Sequence, residues 1–416
     1  MIDPAARAAE AVSETRLWDR LMRLAQIGAI PGDGVNRPCL SPGDREARRL
    51  VMAWARAAGA TVSVDAAANL FLRREGADPT LAPVLTGSHM DSQPEGGRFD
   101  GIYGVLAGLE ALSALDDAGL ATQRAIEVVA WTNEEGGRFA PGCMGSMAWS
   151  GHAPLSTWDE VADQSGVTFG AALAEHLALE TDLPQRALGG RPHAYLEAHI
   201  EQGPLLEAAG LDIGVVTGIQ GSRWFSVTVN GASAHAGTAP VGLRRDAVQD
   251  MIRAINALNA MMHDPADVLR FTVARIDVTP NTSNSVAGRA RFTIDLRHPD
   301  AAVLKQKGDA IEAVVRGALK TCTAVIAEHF TADPIGFDPS VVETVAQAAA
   351  ACGFSALRLP SGAFHDAQFL VSVCPTGMIF IPSRDGVSHN PAEYSSPRQV
   401  AAGARVLARS LIALAG

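Results

Sequence analysis

Five histidines lie in short polar or glycine-rich segments of the kind that form loops and turns. They are His89, His199, His235, His365 and His389. Histidine and carboxylate side chains are the usual ligands of a zinc or manganese ion in a hydrolytic site. A lone histidine is usually not a ligand, so the argument depends on the carboxylates that accompany these five.

The first of these histidines follows an apolar segment, 83–87, that is typical of a buried strand. His89 is therefore expected at the carboxyl end of that strand, which is where open α/β sheets bind their ligands. Asp91 lies two residues further along and can share a face with His89 in an extended chain. From there it could orient the imidazole ring, although a polar loop without function explains this segment about equally well.

Two further segments supply carboxylates beside turns. Asp100 lies in the glycine-rich segment 96–104, just before a predicted helix, where an aspartate is more often a helix cap than a ligand. Glu134 and Glu135 follow the predicted strand 126–131, and two adjacent carboxylates are costly to bury in charged form. A metal cation would offset that cost, with one carboxylate as ligand and the other as general base. In isolation, a solvated acidic turn is the more common interpretation.

Two more of the histidines have carboxylates close by in the sequence. His199 lies between Glu197 and Glu201, and His389 follows the predicted strand 376–381. Each segment is weak evidence alone. Together, the histidines and loop carboxylates are sufficient for two metal ions about 3.5–4 Å apart, provided that one carboxylate bridges them.

A second polar cluster occurs in the middle of the chain. His235 lies in a loop of small residues, and Asn284 lies in the polar turn 281–288. Arg297 follows the predicted strand 290–296, and an arginine can hold a substrate carboxylate through two parallel hydrogen bonds. Without other context, a surface salt bridge is the more common role for such an arginine.

The elements that must position these residues are of two kinds. On both sides of the middle region, strands that end in polar turns alternate with helices, which predicts an α/β domain with a mixed sheet flanked by helices. The middle region follows the order β-α-β-β-α and predicts a smaller, ferredoxin-like α+β domain with helices on one side of an open sheet. We therefore predict a catalytic, metal-binding domain at residues 1–216 and 330–416, with the small domain inserted at 217–329.

The composition of the chain excludes several classes of partner. A net charge of −11 over 416 residues argues against nucleic acid or an anionic membrane as the main partner. The sequence has no apolar run of about 20 residues that would span a membrane, and no signal-peptide pattern at its amino terminus. Five widely spaced cysteines without a CxxC motif argue against a disulfide framework or a zinc finger. We expect a cytoplasmic protein.

Taken together and in order, the motifs are specific. The chain contains GSHMDS, GGRFDG, TNEEGGRF, EAHIEQGP, SAHAGT, RRDA, PNTSN, DLRH and SHNPAE. This order resembles the hydantoinase/carbamoylase branch of the M20-type metal-dependent amidohydrolases, over roughly residues 15–410. That branch includes N-carbamoyl-L-amino acid hydrolases, allantoate amidohydrolases and β-ureidopropionases.

The resemblance implies two divalent metal ions in each subunit, with zinc as the first choice and manganese or cobalt as alternatives. The ligands that it implies are, for one ion, His89, Asp100 and His199 and, for the other, Asp100, Glu135 and His389. Asp100 would bridge the pair. Glu134 matches the general base of the family, and Asp91 matches the residue behind the first histidine. The resemblance also implies a cis peptide bond between Asp100 and Gly101.

For the small domain, the resemblance implies a role in dimerisation and in closure over a small ureido-acid substrate, so the expected assembly is a homodimer. His235 would stabilise the tetrahedral intermediate, while Asn284 and Arg297 would bind the substrate carboxylate. Part of this set would reach the site from the partner subunit. Gln202 and Arg223 match further substrate contacts.

One position departs from the family pattern. Many relatives have Ser-Gly-Ala-Gly-His-Asp where this chain has Ser-Gly-Ala-Phe-His-Asp, with Phe364 in place of the second glycine. A bulky ring at this position would change the shape of the substrate pocket.

The expected activity is hydrolysis of the carbamoyl C–N bond of N-carbamoyl-L-amino acids, which releases ammonia, carbon dioxide and the amino acid. Allantoate or another ureido acid is the alternative substrate. A peptidase or N-acyl amino acid deacylase is a rival from another class of hydrolase, because a fold does not determine its chemistry. A metal-free binding scaffold is the non-enzymatic alternative, and the presence of all five ligand residues argues against it.

Overall fold

The computed structural model describes residues 3–416, and they form two compact units. The larger unit runs to Thr217 and resumes at Phe337, and the smaller unit is Gly218–Gly336. The predicted fold class, a mixed α/β sheet flanked by helices, is confirmed in the larger unit. Within the described residues, no helix combines the length and the apolar character needed to cross a membrane.

The larger unit is built on a mixed sheet whose four central strands are parallel to one another. In spatial order they are Thr376–Ile381, Ala194–Ile200, Val84–His89 and Ile126–Trp131. On one side, Leu70–Arg74 pairs antiparallel with Ile126–Trp131, and Thr61–Val64 pairs antiparallel with Leu70–Arg74. On the other side, Ile213–Ile219 pairs antiparallel with Thr376–Ile381, and Ala356–Ser361 pairs with Ile213–Ile219. Every residue of the four central strands is buried, as expected of parallel strands that are covered on both faces.

Helices pack around this sheet. Their bounds are Pro4–Glu10, Glu14–Leu24, Pro42–Ala57, Ile102–Asp117, Met144–Ser150, Phe169–Ala178, Leu205–Ala209, Pro339–Ala351, Ala367–Leu370 and Pro397–Ala415. Ile102–Asp117 is almost completely buried, and a Cβ atom at its Gly104 would clash with the carbonyl oxygen of Ala198. The helix therefore lies directly against a central strand, which fixes the loop that precedes it.

The smaller unit is an antiparallel sheet of four strands covered by two helices. In spatial order the strands are Arg270–Thr279, Arg289–His298, Gly221–Asn230 and Thr323–Ala332. The helices Ala247–Met262 and Ala301–Ala318 pack together over alternate strand residues such as Phe225, Val227 and Phe292. This period of two is the pattern expected of strands with one buried face.

The sequence pattern misses one strand of the smaller unit. Residue 330, where we expected the larger domain to resume, lies inside the strand Thr323–Ala332. Ala324 is the single buried residue of this strand, and the register shifts between Glu328 and Phe330. The strand therefore lacks the regular apolar alternation by which its neighbours are recognised.

Candidate metal centre

Residues that the sequence analysis singles out lie at the carboxyl end of each central strand or in the loop that follows it. They are His89, the pair Glu134 and Glu135, His199 and His389. The carboxyl ends of parallel strands lie at the same edge of a sheet, so residues that are far apart in the sequence meet there. Asp100 joins them from the loop before the buried helix Ile102–Asp117.

These residues form two triplets of possible metal ligands. In each triplet, one ligand atom from every residue lies within 4.8 Å of the others: His89, Asp100 and His199 in one, and Asp100, Glu135 and His389 in the other. Asp100 belongs to both triplets. These are the two ligand sets that the family resemblance implies.

Asp100 faces the two triplets with different oxygens. Its Oδ1 lies 3.1 Å from His199 Nε2 and 3.5 Å from His89 Nε2. Its Oδ2 lies 3.4 Å from His389 Nε2, which is also 3.4 Å from Glu135 Oε2. A carboxylate that divides its oxygens in this way can bridge two cations.

Two backbone carbonyls determine which nitrogen of the buried histidines can bind a metal. His89 Nδ1 lies 3.0 Å from the Asp91 carbonyl oxygen, and His199 Nδ1 lies 2.9 Å from the Ile200 carbonyl oxygen. A carbonyl oxygen only accepts hydrogen bonds, so in each neutral ring Nδ1 carries the proton and donates it. Nε2 then holds a lone pair on the side of Asp100. This is the protonation state of a metal ligand, so the donor set fits a pair of divalent cations.

The buried carboxylates of the centre point to the same conclusion. Burial raises the pKa of Glu134 well above its usual value, and burial together with the nearby Asp100 raises the pKa of Glu135 to about 7. Asp100 is also buried, but hydrogen bonds from His199 and His389 in their protonated forms outweigh burial and hold its pKa well below the usual range. Divalent cations among these groups would neutralise the shared negative charge.

Glu134 lies beside the first triplet. Its Oε2 is 3.3 Å from His89 Nε2, and its side chain is only 9% exposed. The Glu134 carbonyl oxygen accepts the backbone N–H of Cys143 at 3.0 Å, which fixes the loop on its other side. A buried carboxylate on a fixed backbone can transfer a proton at this centre.

Asp91 connects two of the loops. Its carboxylate accepts the backbone amides of Glu134 and Glu135, each at 3.3 Å. His89 Nδ1 lies closer to the Asp91 carbonyl oxygen than to its carboxylate, at 3.0 Å against 3.7 Å. Asp91 therefore positions the glutamate loop with its side chain and the His89 ring with its main chain.

Three residues that the sequence analysis assigns no role complete the centre. Gln93 Nε2 donates to Glu135 Oε2 at 2.8 Å. Ser388 Oγ lies 3.0 Å from both Asp100 Oδ2 and Glu393 Oε2. Glu393 is buried, and it accepts the backbone amide of Asp100 at 3.0 Å. The signal for these residues in the sequence is that each lies within four positions of an expected histidine ligand.

Gln202, which the resemblance suggests as a substrate contact, lies at the shared carboxylate. Its Nε2 donates to Asp100 Oδ2 at 2.8 Å and lies 3.3 Å from Ser388 Oγ. The amide of Gln202 thus helps to orient the aspartate that the two triplets share. Its contact with a substrate stays a prediction.

A third possible triplet, formed by Glu197, His199 and His365, shares a histidine with the first. In the neutral ring His199 has a single lone pair, on Nε2, which lies 3.1 Å from Asp100 Oδ1 and accepts the backbone N–H of Gly101 at 3.2 Å. His365 packs against His199 instead, with ring centroids 4.5 Å apart. Phe364, which departs from the family pattern, is half-buried immediately before His365.

The smaller unit brings two of its predicted residues together. His235 ends the short strand Ala234–His235, which pairs with Ser285–Val286. The N–H of Ala236 donates to the Asn284 carbonyl oxygen at 2.9 Å. The His235 and Asn284 loops are therefore joined through their backbones.

The two predicted arginines of the smaller unit have carboxylate partners. Arg223 donates to the two oxygens of Glu328 at 2.7 Å and 2.9 Å, and to Asp309 at 2.8 Å. Arg297 donates to the two oxygens of Asp295 at 2.9 Å and 2.8 Å. The substrate contacts of both arginines stay predictions.

The prediction of a cis peptide bond between Asp100 and Gly101 is wrong. Among residues 3–416, cis bonds occur at Ala140–Pro141 and Thr279–Pro280. Gly101 has a φ angle of 64° and turns the chain into the helix Ile102–Asp117 through a trans peptide. A side chain at this position would overlap the His89 ring, which explains the glycine.

Comparison with known proteins identifies close relatives of this chain. The model of Peptidase family M20/M25/M40 matches residues 85–413. The chain is 41% identical over 408 residues to N-carbamoyl-L-amino-acid amidohydrolase of Rhizobium meliloti, with 96% of each chain covered. It is 36% identical over 401 residues to allantoate amidohydrolase of Bacillus subtilis (strain 168), with 96% of this chain and 97% of the relative covered.

A solved structure gives the same result. The chain matches the crystal structure of an amidase of the hydantoinase/carbamoylase family from Burkholderia multivorans with a TM-score of 0.92 and 44% identity. The match covers 97% of this chain and 98% of the other. The resemblance stated from the motifs is thereby confirmed. The chain belongs to peptidase family M20/M25/M40.

Proposed function

We propose that this protein is a metal-dependent amidohydrolase that cleaves the ureido C–N bond of N-carbamoyl-L-amino acids. The products are ammonia, carbon dioxide and the free amino acid. The observation that carries the proposal is the pair of ligand triplets that share Asp100, with Glu134 beside them. The 41% identity to N-carbamoyl-L-amino-acid amidohydrolase of Rhizobium meliloti supports this choice of substrate.

Two divalent cations would be held by the two triplets. Zinc is the first choice, with manganese or cobalt as alternatives, because sites of imidazole and carboxylate ligands accept all three. When bound, the cations supply Lewis acidity, which polarises the substrate carbonyl and lowers the pKa of water. The Asp91 and Ile200 carbonyl oxygens place the proton of the neutral His89 and His199 rings on Nδ1, which leaves Nε2 available to a cation, and Asp100 is ionised.

Glu134 moves the proton in this proposal. Its carboxylate takes a proton from the attacking water and passes it to the leaving nitrogen as the C–N bond breaks. The oxygen of that water remains on the carbamate fragment, which then loses carbon dioxide and yields the second amine. The Glu134 side chain is only 9% exposed, so bulk water has little access to the transferred proton.

Substrate recognition is assigned to polar residues outside the two triplets. Asn284 and Arg297 would bind the carboxylate next to the ureido group, and the paired N–H groups of an arginine suit a carboxylate. His235 would donate a hydrogen bond to the oxyanion of the tetrahedral intermediate. Gln202 and Arg223 are proposed as further contacts, and part of this set would come from the partner subunit.

Allantoate is the second candidate substrate, because the chain is 36% identical to allantoate amidohydrolase of Bacillus subtilis. Both substrates carry a carboxylate near a ureido group, so Arg297 does not distinguish them. A deacylase or peptidase of N-acyl amino acids is the third candidate, and it would release an acid or a peptide instead of ammonia.

One assay distinguishes these candidates. The purified protein is supplied in turn with Zn²⁺, Mn²⁺ and Co²⁺ and is given N-carbamoyl-L-methionine, allantoate and N-acetyl-L-methionine. We expect ammonia from the first substrate at the highest kcat/KM. Faster turnover of allantoate would identify allantoate as the preferred substrate. Release of acetate alone would overturn the proposed reaction. Protein that binds none of the three metals would favour the metal-free scaffold.

We also propose a cytoplasmic homodimer. Arg270–Thr279 is an edge strand of the smaller sheet, and its Ile276 is 53% exposed, so a second copy of the chain could pair with this edge. All five cysteines lie within residues 3–416 as free thiols, which suits a reducing compartment. Sedimentation analysis measures the assembly, and a monomer at micromolar concentration would contradict it. Cell fractionation measures the location.

A further inference from the structure

His235 is exposed, yet its ring has a defined contact with the backbone. The N–H of Gly237 donates to His235 Nδ1 at 3.1 Å. A ring nitrogen that accepts a hydrogen bond carries no proton, and a neutral imidazole carries only one. The proton of the neutral His235 ring is therefore on Nε2, which makes Nε2–H a hydrogen-bond donor.

The turn that carries Gly237 is closed by its own backbone. The N–H of Ala239 donates to the His235 carbonyl oxygen at 3.1 Å. The N–H of Ala236 donates to the Asn284 carbonyl oxygen at 2.9 Å, which ties the turn to a neighbouring loop. The position of the Gly237 amide is thus set on both sides of the residue.

Arg244 holds the same turn from its side. Its Nη2 donates to the Ala236 carbonyl oxygen at 2.7 Å, and its Nε donates to the Ala239 carbonyl oxygen at 2.9 Å. The Ala236 carbonyl and the Gly237 N–H belong to one planar peptide group, and in a trans peptide they point in opposite directions. A guanidinium that fixes the carbonyl therefore also aims the N–H at the His235 ring, and it polarises that N–H.

We propose that Gly237 and Arg244 are positioning residues for His235. The inference rests on the proposed function, in which His235 donates a hydrogen bond to the oxyanion. Arg244 orients the peptide between Ala236 and Gly237, and this peptide fixes both the tautomer and the orientation of the His235 ring. Nε2–H is then ready to donate without reorganisation during the reaction, which is the property of an effective oxyanion donor.

The tautomer is measured directly in the zinc-loaded enzyme. Protein labelled with ¹⁵N-histidine is studied by two-dimensional ¹⁵N–¹H correlation of the rings at about pH 8–9, on the alkaline side of the usual range in which imidazoles take up a proton. The His235 signals are those that the His235→Asn variant lacks. We expect an unprotonated Nδ1 and a protonated Nε2. A proton on Nδ1, or an average of the two tautomers, would overturn the proposal.

Variants test the role of Arg244. We expect Arg244→Ala to lower kcat about 10- to 100-fold, with KM changed less than about threefold, and to mix the two tautomers of His235. Arg244→Lys, which can reach one carbonyl but not both, should give an intermediate result. Arg245→Ala is the matched control, because Arg245 donates to the Thr321 carbonyl oxygen and not to this turn. It should leave kcat and the ring signals unchanged.

The outcomes separate this inference from the proposed function. Unchanged kcat and unchanged ring signals in Arg244→Ala or Arg244→Lys would show that Arg244 does not position His235, and would leave the proposed reaction intact. Full kcat in His235→Ala would instead remove His235 from the proposed reaction. If Arg244→Ala fails to fold, Arg244→Lys and the tautomer of the wild-type ring decide the question.

Discussion

His89 in the larger unit and His235 in the smaller unit are held by opposite backbone groups. Nδ1 of His89 faces a carbonyl oxygen at 3.0 Å, whereas Nδ1 of His235 accepts an amide N–H at 3.1 Å. When the two rings are neutral, Nε2 therefore carries a lone pair in His89 and an N–H donor in His235. The peptide group opposite Nδ1 thus determines whether the same side chain can bind a metal or can stabilise an oxyanion.

The two rings also differ in what keeps them in place. His89 is 1% exposed at the end of a buried strand, so the packing of the sheet restricts its ring. His235 is exposed in a turn, and its ring depends on hydrogen bonds from Gly237 and on the guanidinium of Arg244. Substitutions in the larger unit should therefore change metal binding, whereas substitutions in the smaller unit should change turnover with the metals retained.

The largest expected effect comes from removing the carboxylate that both triplets share. We expect Asp100→Ala to lose both metal ions and all detectable activity, because each triplet keeps only two ligands. His389→Ala should lose the ion of the second triplet alone. Metal-to-protein ratios from elemental analysis measure the difference. Two ions retained in Asp100→Ala would show that Asp100 does not bridge them.

The next effect separates a base from a ligand among neighbouring glutamates. We expect Glu134→Gln to bind metal normally and to lower kcat about 10²- to 10⁴-fold, because the amide cannot accept the proton of water. Glu135→Gln should reduce the metal content first, since Glu135 lies in the second triplet. Turnover and metal content are measured on the same samples. Near-normal kcat in metal-loaded Glu134→Gln would contradict its role as the base.

Substitutions of the two histidines should have a smaller effect and test whether His235 acts as a donor and His89 as a ligand. We expect His235→Ala to lower kcat about 10²- to 10³-fold, and His235→Gln to lose only about tenfold, because the glutamine amide still donates a hydrogen bond. His89→Gln should lose metal, since an amide is a poor substitute for an imidazole ligand. Equal kcat values for His235→Ala and His235→Gln would indicate that His235 does not act as a donor.

The positions of the candidate ligands could be predicted from the sequence because most of them lie at the ends of apolar strands or follow them. The segments 83–87, 126–131 and 376–381 correspond to the strands Val84–His89, Ile126–Trp131 and Thr376–Ile381. Once these strands are taken as parallel, the residues at their carboxyl ends must meet at one edge. Asp100 required the resemblance as well, because an aspartate before a helix is more often a cap.

The tautomers of the histidines could not be predicted in this way. They depend on the direction of single peptide groups, such as the carbonyl of Asp91 and the amide of Gly237, and a sequence pattern contains no information on that direction. The hydrogen bond from Gln93 to Glu135 could not be predicted from the sequence either, because it joins two loops that meet only after the sheet has formed. The exposed strand Thr323–Ala332 was missed because burial, which creates the alternating pattern, is almost absent there.

The smallest expected effect comes from a buried carboxylate of the smaller unit, Asp250. Asp250 is fully buried in the smaller unit and accepts three backbone amides at 2.8–3.0 Å, from Lys320, Thr321 and Cys322. Burial raises the pKa of Asp250, but these amides and the side chain of Arg253 together outweigh burial and hold the pKa below its usual range. Unlike the aspartate shared by the two triplets, Asp250 is stabilised in its charged form by backbone amides together with the guanidinium of Arg253, whose Nε donates to Asp250 Oδ1 at 2.9 Å.

A carboxyl pKa that is lowered in the folded state contributes stability that is complete above the unfolded pKa of about 4, and this stability is lost progressively as the pH falls from that value through the lower folded pKa. We expect Asp250→Asn to lower the free energy of unfolding by about 1–3 kcal/mol at neutral pH. The difference from wild type should begin to shrink near about pH 5 and should go on shrinking as the pH falls below about 3, while kcat near neutral pH stays unchanged. Denaturant titrations across this range measure it. A difference that stays constant with pH would mean that the charge of Asp250 contributes nothing beyond the shape of its side chain.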